Sequence, residues 1–216
     1  MPSFQQLRAT EALWARFGGR QRLDGDAVAL TFDDGPDPDA TPAVLDALDD
    51  AGLRATFFVV GEQAAAHPRL AREVATRGHE IALHGYEHRE HAELSPREAR
   101  DDLARGLGAV EATTGRRATR FRPPYGRFSE HSREACERLG LEPVLWSAWG
   151  MDWEPLPADR IAELVARDLD PGAIVLLHDS ARYAHRADAA ATAEAIPLLA
   201  AAAAERGLGL GPLSEG

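Results

Sequence analysis

Short apolar runs alternate with longer amphipathic segments along most of this 216-residue chain. Short apolar runs bounded by turn residues are typical of buried β-strands, and apolar positions with a helical period are typical of helices that cover a core. The pattern predicts strands at 27–32, 55–60, 79–83, 118–122, 142–146 and 173–178, with a weaker seventh at 208–210. It predicts helices at 41–51, 67–77, 95–112, 129–139, 159–169 and 189–206.

This regular alternation predicts one α/β domain built on a parallel sheet, either closed into a barrel or open and doubly wound. Signals at the helix ends agree with these limits. In "SPREA", Ser95 can cap a helix, Pro96 suits its first turn and Glu98 completes a capping box. Glycines follow two other predicted helices, in "ATRG" and "ERLG", as is common at helix ends.

Residues 1–26 precede the first predicted strand as an N-terminal extension. The helical spacing of Phe4, Leu7, Trp14 and Phe17 predicts a helix docked on the domain, with weak contact to a membrane surface as the alternative. The sequence shows no signal-peptide h-region and no apolar run of about 18 residues. As written it predicts a cytoplasmic protein; extracellular or membrane-face action is the alternative if upstream residues are missing.

Composition removes several classes of function. The net charge of −11 argues against a nucleic-acid partner, because phosphate binding requires a basic surface. Cys136 is the only cysteine, which excludes an internal disulfide and a CxxC metal or redox site. The absence of lysine excludes a Schiff-base lysine and a GxxxxGK phosphate loop, and no serine lies in a GxSxG motif.

Residues with catalytic chemistry follow five of the predicted strands. In parallel α/β folds the active site lies at the carboxyl ends of the strands, so these residues are predicted to share one face of the domain. They are Asp33 and Asp34 in "TFDDGP", His84 and His88 in "HGYEH", Arg122 in "FRPPYG", Asp152 and Trp153 in "GMDW", and His178 and Asp179 in "LLHD".

Each of these signals also has an ordinary structural explanation. "DDG" is typical of a solvated turn, Arg122 of a structural ion pair and His178 of a core histidine bonded to a carbonyl. His91 extends the run "HGYEHREH" and is predicted to be solvated rather than a ligand. The remaining histidines, predicted to have surface or packing roles, are His67, His79, His131 and His185.

Together the residues predict a metal-dependent reaction centre. One carboxylate and two imidazoles form an open site for a divalent metal, for which zinc fits best and Co, Ni, Mn or Fe are alternatives. The other aspartate of the pair can then act as a general base. His178 is a candidate proton carrier that Asp152 can orient.

The chain resembles the polysaccharide deacetylases of carbohydrate esterase family 4 over about residues 27–210, through "TFDDGP", "HGYEH", "RPPYG", "DW" and "LLH" in the family's order. The resemblance implies a distorted (β/α)7-type barrel, with residues 27–216 as the catalytic domain. It implies a metal-dependent hydrolase that removes N-acetyl, or O-acetyl, groups from an amino-sugar-containing glycan or oligosaccharide and releases acetate.

The resemblance also implies a role for each matching residue. Asp33 would be the general base, supported by Arg122, and His178 would be the general acid, tuned by Asp152. The remaining implied roles are metal ligation by Asp34, His84 and His88, oxyanion binding by the Tyr125 amide, and an acetyl slot lined by Trp153 and Leu176.

The chain departs from the family pattern at two positions. Gly85 stands where the family usually has Ser or Thr, and Trp149 stands where it often has Asp. Two alternatives therefore stay open: a related amide or cyclic-amide hydrolase, and a homologue that binds metal or sugar without catalysis.

Overall fold

The structure is a computed structural model that describes Trp14 and residues 18–215. Eight strands form one sheet in which every pair of strands is parallel, in the order β5-β4-β3-β2-β1-β7-β6, with β8 also pairing with β1. The strands are β1 (Val28–Asp33), β2 (Thr56–Val59), β3 (Glu80–Leu83), β4 (Arg120–Phe121), β5 (Glu142–Pro143), β6 (Ala148–Trp149), β7 (Ile174–His178) and β8 (Leu210–Gly211).

Seven helices accompany these strands within the described residues. Short 3₁₀ turns lie at His91–Glu93, Pro124–Gly126 and Leu213–Glu215. The helices are α1 (Thr41–Asp50), α2 (Gly61–Ala66), α3 (Pro68–Thr76), α4 (Pro96–Thr114), α5 (Glu130–Leu139), α6 (Ala158–Ala166) and α7 (Ala190–Glu205).

Side chains of the central strands alternate between two apolar clusters. In β1, Leu30 and Phe32 belong to the large cluster that includes the helices, whereas Ala29 belongs to a second, smaller cluster with Trp146 and Leu176. Because successive strand residues point to opposite faces, the helices cover one face and the second cluster fills the concave face. This arrangement is a curled parallel half-barrel in a single domain, so the predicted fold class is confirmed.

The barrel is distorted because the strand path is open between β5 and β6. Residues 144–147 connect these two short strands, and Arg20 forms a parallel bridge with Val144 beside them. The pairing of β1 with β7 places Asp33 opposite His178 at the carboxyl edge of the sheet. The carboxyl edge of the sheet, where the catalytic residues are predicted, therefore includes the ends of two adjacent buried strands, β1 and β7.

The predicted N-terminal helix lies outside the described residues, with the exception of Trp14. The Trp14 indole is buried, donates a hydrogen bond to the carbonyl of Gly126 at 2.8 Å and packs edge-on against Trp146. Within the part of the chain that the structure describes, no helix combines the length and apolar character needed to cross a bilayer.

Candidate active site

Asp33 lies at the end of β1 and is held by a buried arginine. Arg122 Nη1 donates to Asp33 Oδ1 at 2.7 Å and to Thr31 Oγ1 at 2.8 Å, while Nη2 donates to the Leu145 carbonyl at 2.9 Å. The guanidinium also stacks 4.0 Å from the centre of the Phe58 ring. Burial lowers the pKa of Arg122 and the Asp33 carboxylate opposes that shift. The pair fixes the Asp33 carboxylate in one orientation.

Asp34 points to two histidines that come from the loop after β3. Its Oδ1 lies 3.3 Å from His84 Nε2 and 3.1 Å from His88 Nε2. The three candidate ligand atoms lie within 4.8 Å of one another. Both Asp34 oxygens are buried without a hydrogen-bond partner among the described residues. Such orphaned acceptors beside two imidazole nitrogens fit a divalent cation, which supplies the missing partner.

The two histidines are oriented by contacts behind their rings. His84 Nδ1 lies 2.8 Å from the Arg122 carbonyl, so this nitrogen carries a proton, and Nε2 is the nitrogen through which the neutral ring would bind a cation. The ring of His88 stacks on Tyr183, with centroids 4.0 Å apart and planes 8° apart, and meets the edge of Tyr125 at 4.6 Å. Both Nε2 atoms are therefore presented to Asp34 from rings with fixed orientation.

The electrostatics of Asp34 favour its ionised form. Burial alone would raise its pKa, but the facing His88 and His84 imidazoles outweigh burial and hold the pKa of Asp34 well below its ordinary value. A carboxylate that stays ionised in a buried position is suited to binding a cation.

His178 forms a second polar pair on the other side of the pocket. Asp152 Oδ1 lies 2.8 Å from His178 Nδ1, and Asp152 Oδ2 accepts from the His178 amide at 2.9 Å and from Thr192 Oγ1 at 2.8 Å. Burial alone would lower the pKa of His178, but Asp152 outweighs it and raises that pKa to about 9. The imidazole is therefore held in its protonated form at neutral pH. Of its two ring nitrogens, Nδ1 is paired with Asp152 and Nε2 is not.

Strained backbone is concentrated around the pocket. Within the described residues, the non-glycine residues with positive φ are Asp34 at 83°, Tyr125 at 60° and Met151 at 53°. Each such conformation costs about 1–3 kcal/mol and persists only where the surroundings fix it. Asp34 and Tyr125 are themselves predicted site residues, and Met151 directly precedes another, Asp152. The next residue, Gly126, cannot be replaced by a residue with a side chain without a clash, because a Cβ there would lie 2.6 Å from the Trp146 ring.

The structure brings most of the predicted site residues into one pocket. Arg122 and Asp152 lie behind it, where they support Asp33 and His178. The lining residues are Asp33, Asp34, His84, His88, Tyr125, Gly126, Trp146, Trp153, Leu176 and His178. The roles of these residues stay predictions.

Sequence reasoning missed four contributors to this site. Trp146 lines the pocket, Tyr183 stacks on His88, and Thr192 and Arg186 face the Asp152 carboxylate. Trp146 ended a predicted strand and gave no sign that it faced the pocket. The other three lie after β7 without a spacing pattern, so only the folded chain reveals them.

The prediction that His91 is solvated is wrong. Its side chain is fully buried, with Nε2 3.1 Å from Asp102 Oδ2 and Nδ1 3.3 Å from Ser132 Oγ. The reason is long-range: α4 and α5 supply its two polar partners, and the ring packs 5.0 Å from that of Phe121. His91 is not in the Asp34 cluster, as expected.

Residues 20–144 match the family described as polysaccharide deacetylase. The chain is 39% identical to a chitooligosaccharide deacetylase of Bradyrhizobium sp. (strain ANU 289), over 71% of this chain and 70% of that protein. The Bc1960 peptidoglycan N-acetylglucosamine deacetylase has a similar solved structure, with a TM-score of 0.85 and 28% identity over 94% of both chains. BA3943 of Bacillus anthracis, described as a CE4 family pseudoenzyme, matches with a TM-score of 0.83 and 26% identity, over 91% of this chain and 67% of that chain.

Proposed function

The chain belongs to the polysaccharide deacetylase family, and from that membership we propose that it is a metal-dependent hydrolase that removes N-acetyl groups from an amino-sugar-containing glycan or oligosaccharide. The bond cleaved is the carbon–nitrogen bond of a linear, that is acyclic, amide, and the products are acetate and a free amino sugar. We assign this activity to residues 27–216. One observation carries the proposal: a buried Asp–His–His cluster, an Arg-supported aspartate and an Asp-supported histidine line or adjoin the same pocket.

Asp34, His84 and His88 would hold the metal ion. Their donor set of one carboxylate oxygen and two imidazole nitrogens matches zinc best, and Co, Ni, Mn or Fe are compatible with the same ligands. A divalent ion bound there supplies Lewis acidity, which polarises a carbonyl and lowers the pKa of a bound water from about 15.7 toward 7.

Asp33 is proposed as the general base. Its carboxylate is fixed by Arg122 through the 2.7 Å hydrogen bond and lies next to the ligand Asp34 in the chain. Because Arg122 occupies Oδ1, Oδ2 is the oxygen that takes the proton of the attacking water. The hydroxyl of that water forms the new bond to the acetyl carbonyl carbon.

The Tyr125 amide is proposed to bind the carbonyl oxygen as negative charge develops on it. The positive φ of Tyr125 turns the backbone of the "RPPYG" segment at the pocket wall. Backbone N–H donors in such positions stabilise the transition state, and loss of one typically costs about 10²–10³ in rate.

His178 is proposed as the general acid. Its Nδ1 is paired with Asp152, so Nε2 is the nitrogen that delivers a proton to the amine as the carbon–nitrogen bond breaks. The raised pKa of His178 keeps that proton available at neutral pH. Asp33 and His178 therefore perform the two proton transfers that hydrolysis of an amide requires.

The apolar wall of the pocket sets the size of the acyl group. Trp146, Trp153 and Leu176 are buried side chains of the concave cluster that line the pocket with the polar residues. Such a wall suits the acetyl methyl group. An acyl group with one methylene too many for the pocket would lose about 1–3 kcal/mol of transition-state binding relative to acetyl.

The substrate class follows from the relatives and not from the geometry alone. Two of the similar proteins named above are described as a chitooligosaccharide deacetylase and a peptidoglycan N-acetylglucosamine deacetylase. We therefore propose a glycan that contains N-acetylglucosamine. Contact of residues 1–26 with a membrane surface, and the compartment in which the substrate is met, stay predictions.

The direct test is acetate release from N-acetylated chitooligosaccharides and peptidoglycan fragments by the zinc-loaded protein. Release should stop after treatment with a chelator and return on adding zinc. The matched control is Asp33→Asn, which should bind zinc without releasing acetate. A protein that binds zinc and glycan but releases no acetate from any of these substrates would instead be a non-catalytic relative, as BA3943 is described to be.

A further inference from the structure

Residues 84–88, termed here the ligand loop, are held on their carbonyl side by the start of α2. The carbonyls of Gly85 and Tyr86 accept hydrogen bonds from the amides of Gly61 and Glu62, each at 2.9 Å. The first N–H groups of a helix have no partner within the helix, so these bonds satisfy both elements at once. The ligand loop is thereby tied to an element that contributes no metal ligand.

The amide side of the ligand loop is held by one carboxylate from α4. Asp102 Oδ2 accepts from the Tyr86 amide and Oδ1 accepts from the Glu87 amide, each at 3.0 Å. His91 Nε2 lies 3.1 Å from Asp102 Oδ2, and His91 Nδ1 lies 3.3 Å from Ser132 Oγ. Because an ionised carboxylate can only accept, Nε2 is the nitrogen that donates a proton to Asp102. Asp102 is therefore bonded to two consecutive amides and oriented by a buried imidazole.

Close backbone approach makes this arrangement possible. Gly85 has a φ of 84°, and a Cβ on it would lie 2.9 Å from Asp102 Oδ2 and 3.0 Å from the Glu87 carbonyl oxygen. A Cβ on Gly106, one helical turn after Asp102, would lie 3.1 Å from the backbone of Gly85. The absence of side chains at both positions lets α4 bring its carboxylate directly onto the ligand loop.

We propose that Asp102, oriented by His91, is a positioning residue that holds the ligand loop in its metal-binding conformation before the metal arrives. This inference rests on the proposed metal site, and it adds a residue that lies outside both the ligand cluster and the lining of the pocket. A loop that is already ordered loses less conformational entropy when it binds the metal, so preorganisation of the loop increases its affinity for the metal. Loss of a supporting partner behind metal ligands typically costs about 10–100-fold in metal affinity.

Asp102→Asn tests this role, with Asp101→Asn as the matched control. The control makes the same chemical change one residue away, on an exposed side chain paired with Arg97 and Arg100. The asparagine amide can accept from only one of the two loop amides. Zinc affinity of the full chain, measured by competition with a chromophoric chelator, should fall at least 10-fold in Asp102→Asn and stay unchanged in Asp101→Asn. A folded Asp102→Asn protein with wild-type zinc affinity would overturn the proposal, even if its thermal midpoint had fallen.

A measurement on the wild-type protein keeps the test decisive if Asp102→Asn does not fold. In the metal-free protein, the amide protons of Tyr86 and Glu87 should be protected from hydrogen exchange, because both are bonded to Asp102 before metal is present. If the protein binds zinc while these two amides exchange as freely as in an unstructured peptide, only the positioning role is rejected. If the wild-type protein binds no zinc, the proposed metal site itself is rejected, whatever the exchange rates are.

Discussion

At the scale of single residues, the neighbours of Asp33 and Asp34 support the different roles proposed for these two identical side chains. Asp33 is bonded to Arg122, whereas Asp34 has no hydrogen-bond partner among the described residues and faces two imidazoles. "TFDDGP" alone could not predict these different surroundings, because they are supplied by residues that follow strands β3 and β4. The difference follows from the pairing of strands that are distant in sequence.

We expect Asp33→Asn to keep zinc affinity and to lose about 10²–10⁴-fold in kcat, because an amide cannot accept the proton of water. We expect Asp34→Asn to weaken zinc binding by more than the roughly 10–100-fold seen for outer-shell partners. Zinc titration and acetate release measure the two effects separately. Asp39→Asn, on the exposed part of the same segment, is the control for a change of charge. Equal loss of zinc in both site variants would contradict the division of roles.

The pH dependence of the reaction reports the His178–Asp152 pair. The acid must be protonated, so the rate should fall as pH rises through the pKa of His178, which is about 9 in the metal-free protein. Asp34 and Asp33 also raise this pKa, and a bound cation offsets them, so the alkaline limb of the loaded enzyme should lie below about 9. Asp152→Asn removes the main favourable charge and should move the limb to lower pH. Rate profiles and an NMR titration of His178 measure this; an unmoved limb would contradict the assignment.

At the scale of elements, the hydrophobic pattern predicted the helices and strands where burial is one-sided or complete. The predicted strand 173–178 is observed as Ile174–His178, and the predicted helix 95–112 as Pro96–Thr114. Two elements were missed, α2 and β6. Short "GEQAAA" carries too few turns to show a helical period, and the two residues of β6 count as a strand only because they pair with β7. Packing, and not local sequence, determines both.

The capping box of α4 is an element whose contribution to stability can be measured. Ser95 Oγ accepts from the Glu98 amide, and Glu98 Oε2 accepts from the Ser95 amide at 3.0 Å. We expect Ser95→Ala to lower the free energy of unfolding by about 1 kcal/mol and the thermal midpoint by about 2–4 °C. Glu98→Gln should lose less, because glutamine also completes a capping box. A midpoint that is unchanged in Ser95→Ala would show that the cap does not stabilise α4.

At the scale of the whole molecule, the curl of the sheet turns separate strand ends into one pocket. The sequence indicated that reactive residues follow five strands, and parallel pairing places those strand ends on one edge. The distances between them could not be predicted from spacing, because they depend on the opening between β5 and β6 and on the register of β1 with β7. The pocket therefore depends on long-range closure, although each of its motifs is local.

Metal binding should for this reason stabilise the entire domain. The proposed ligands come from the end of β1 and from the loop after β3, so a bound ion joins segments that unfolding would separate. At a free zinc concentration 100 times Kd, binding adds about 2.7 kcal/mol to the free energy of unfolding. For a chain of this length that corresponds to a rise of roughly 5–11 °C in the thermal midpoint. The rise should disappear in Asp34→Asn, persist in Asp33→Asn and reverse on adding a chelator, as measured by thermal denaturation. An equal rise in Asp34→Asn would place the stabilising zinc at another site and remove the metal from the proposed reaction centre.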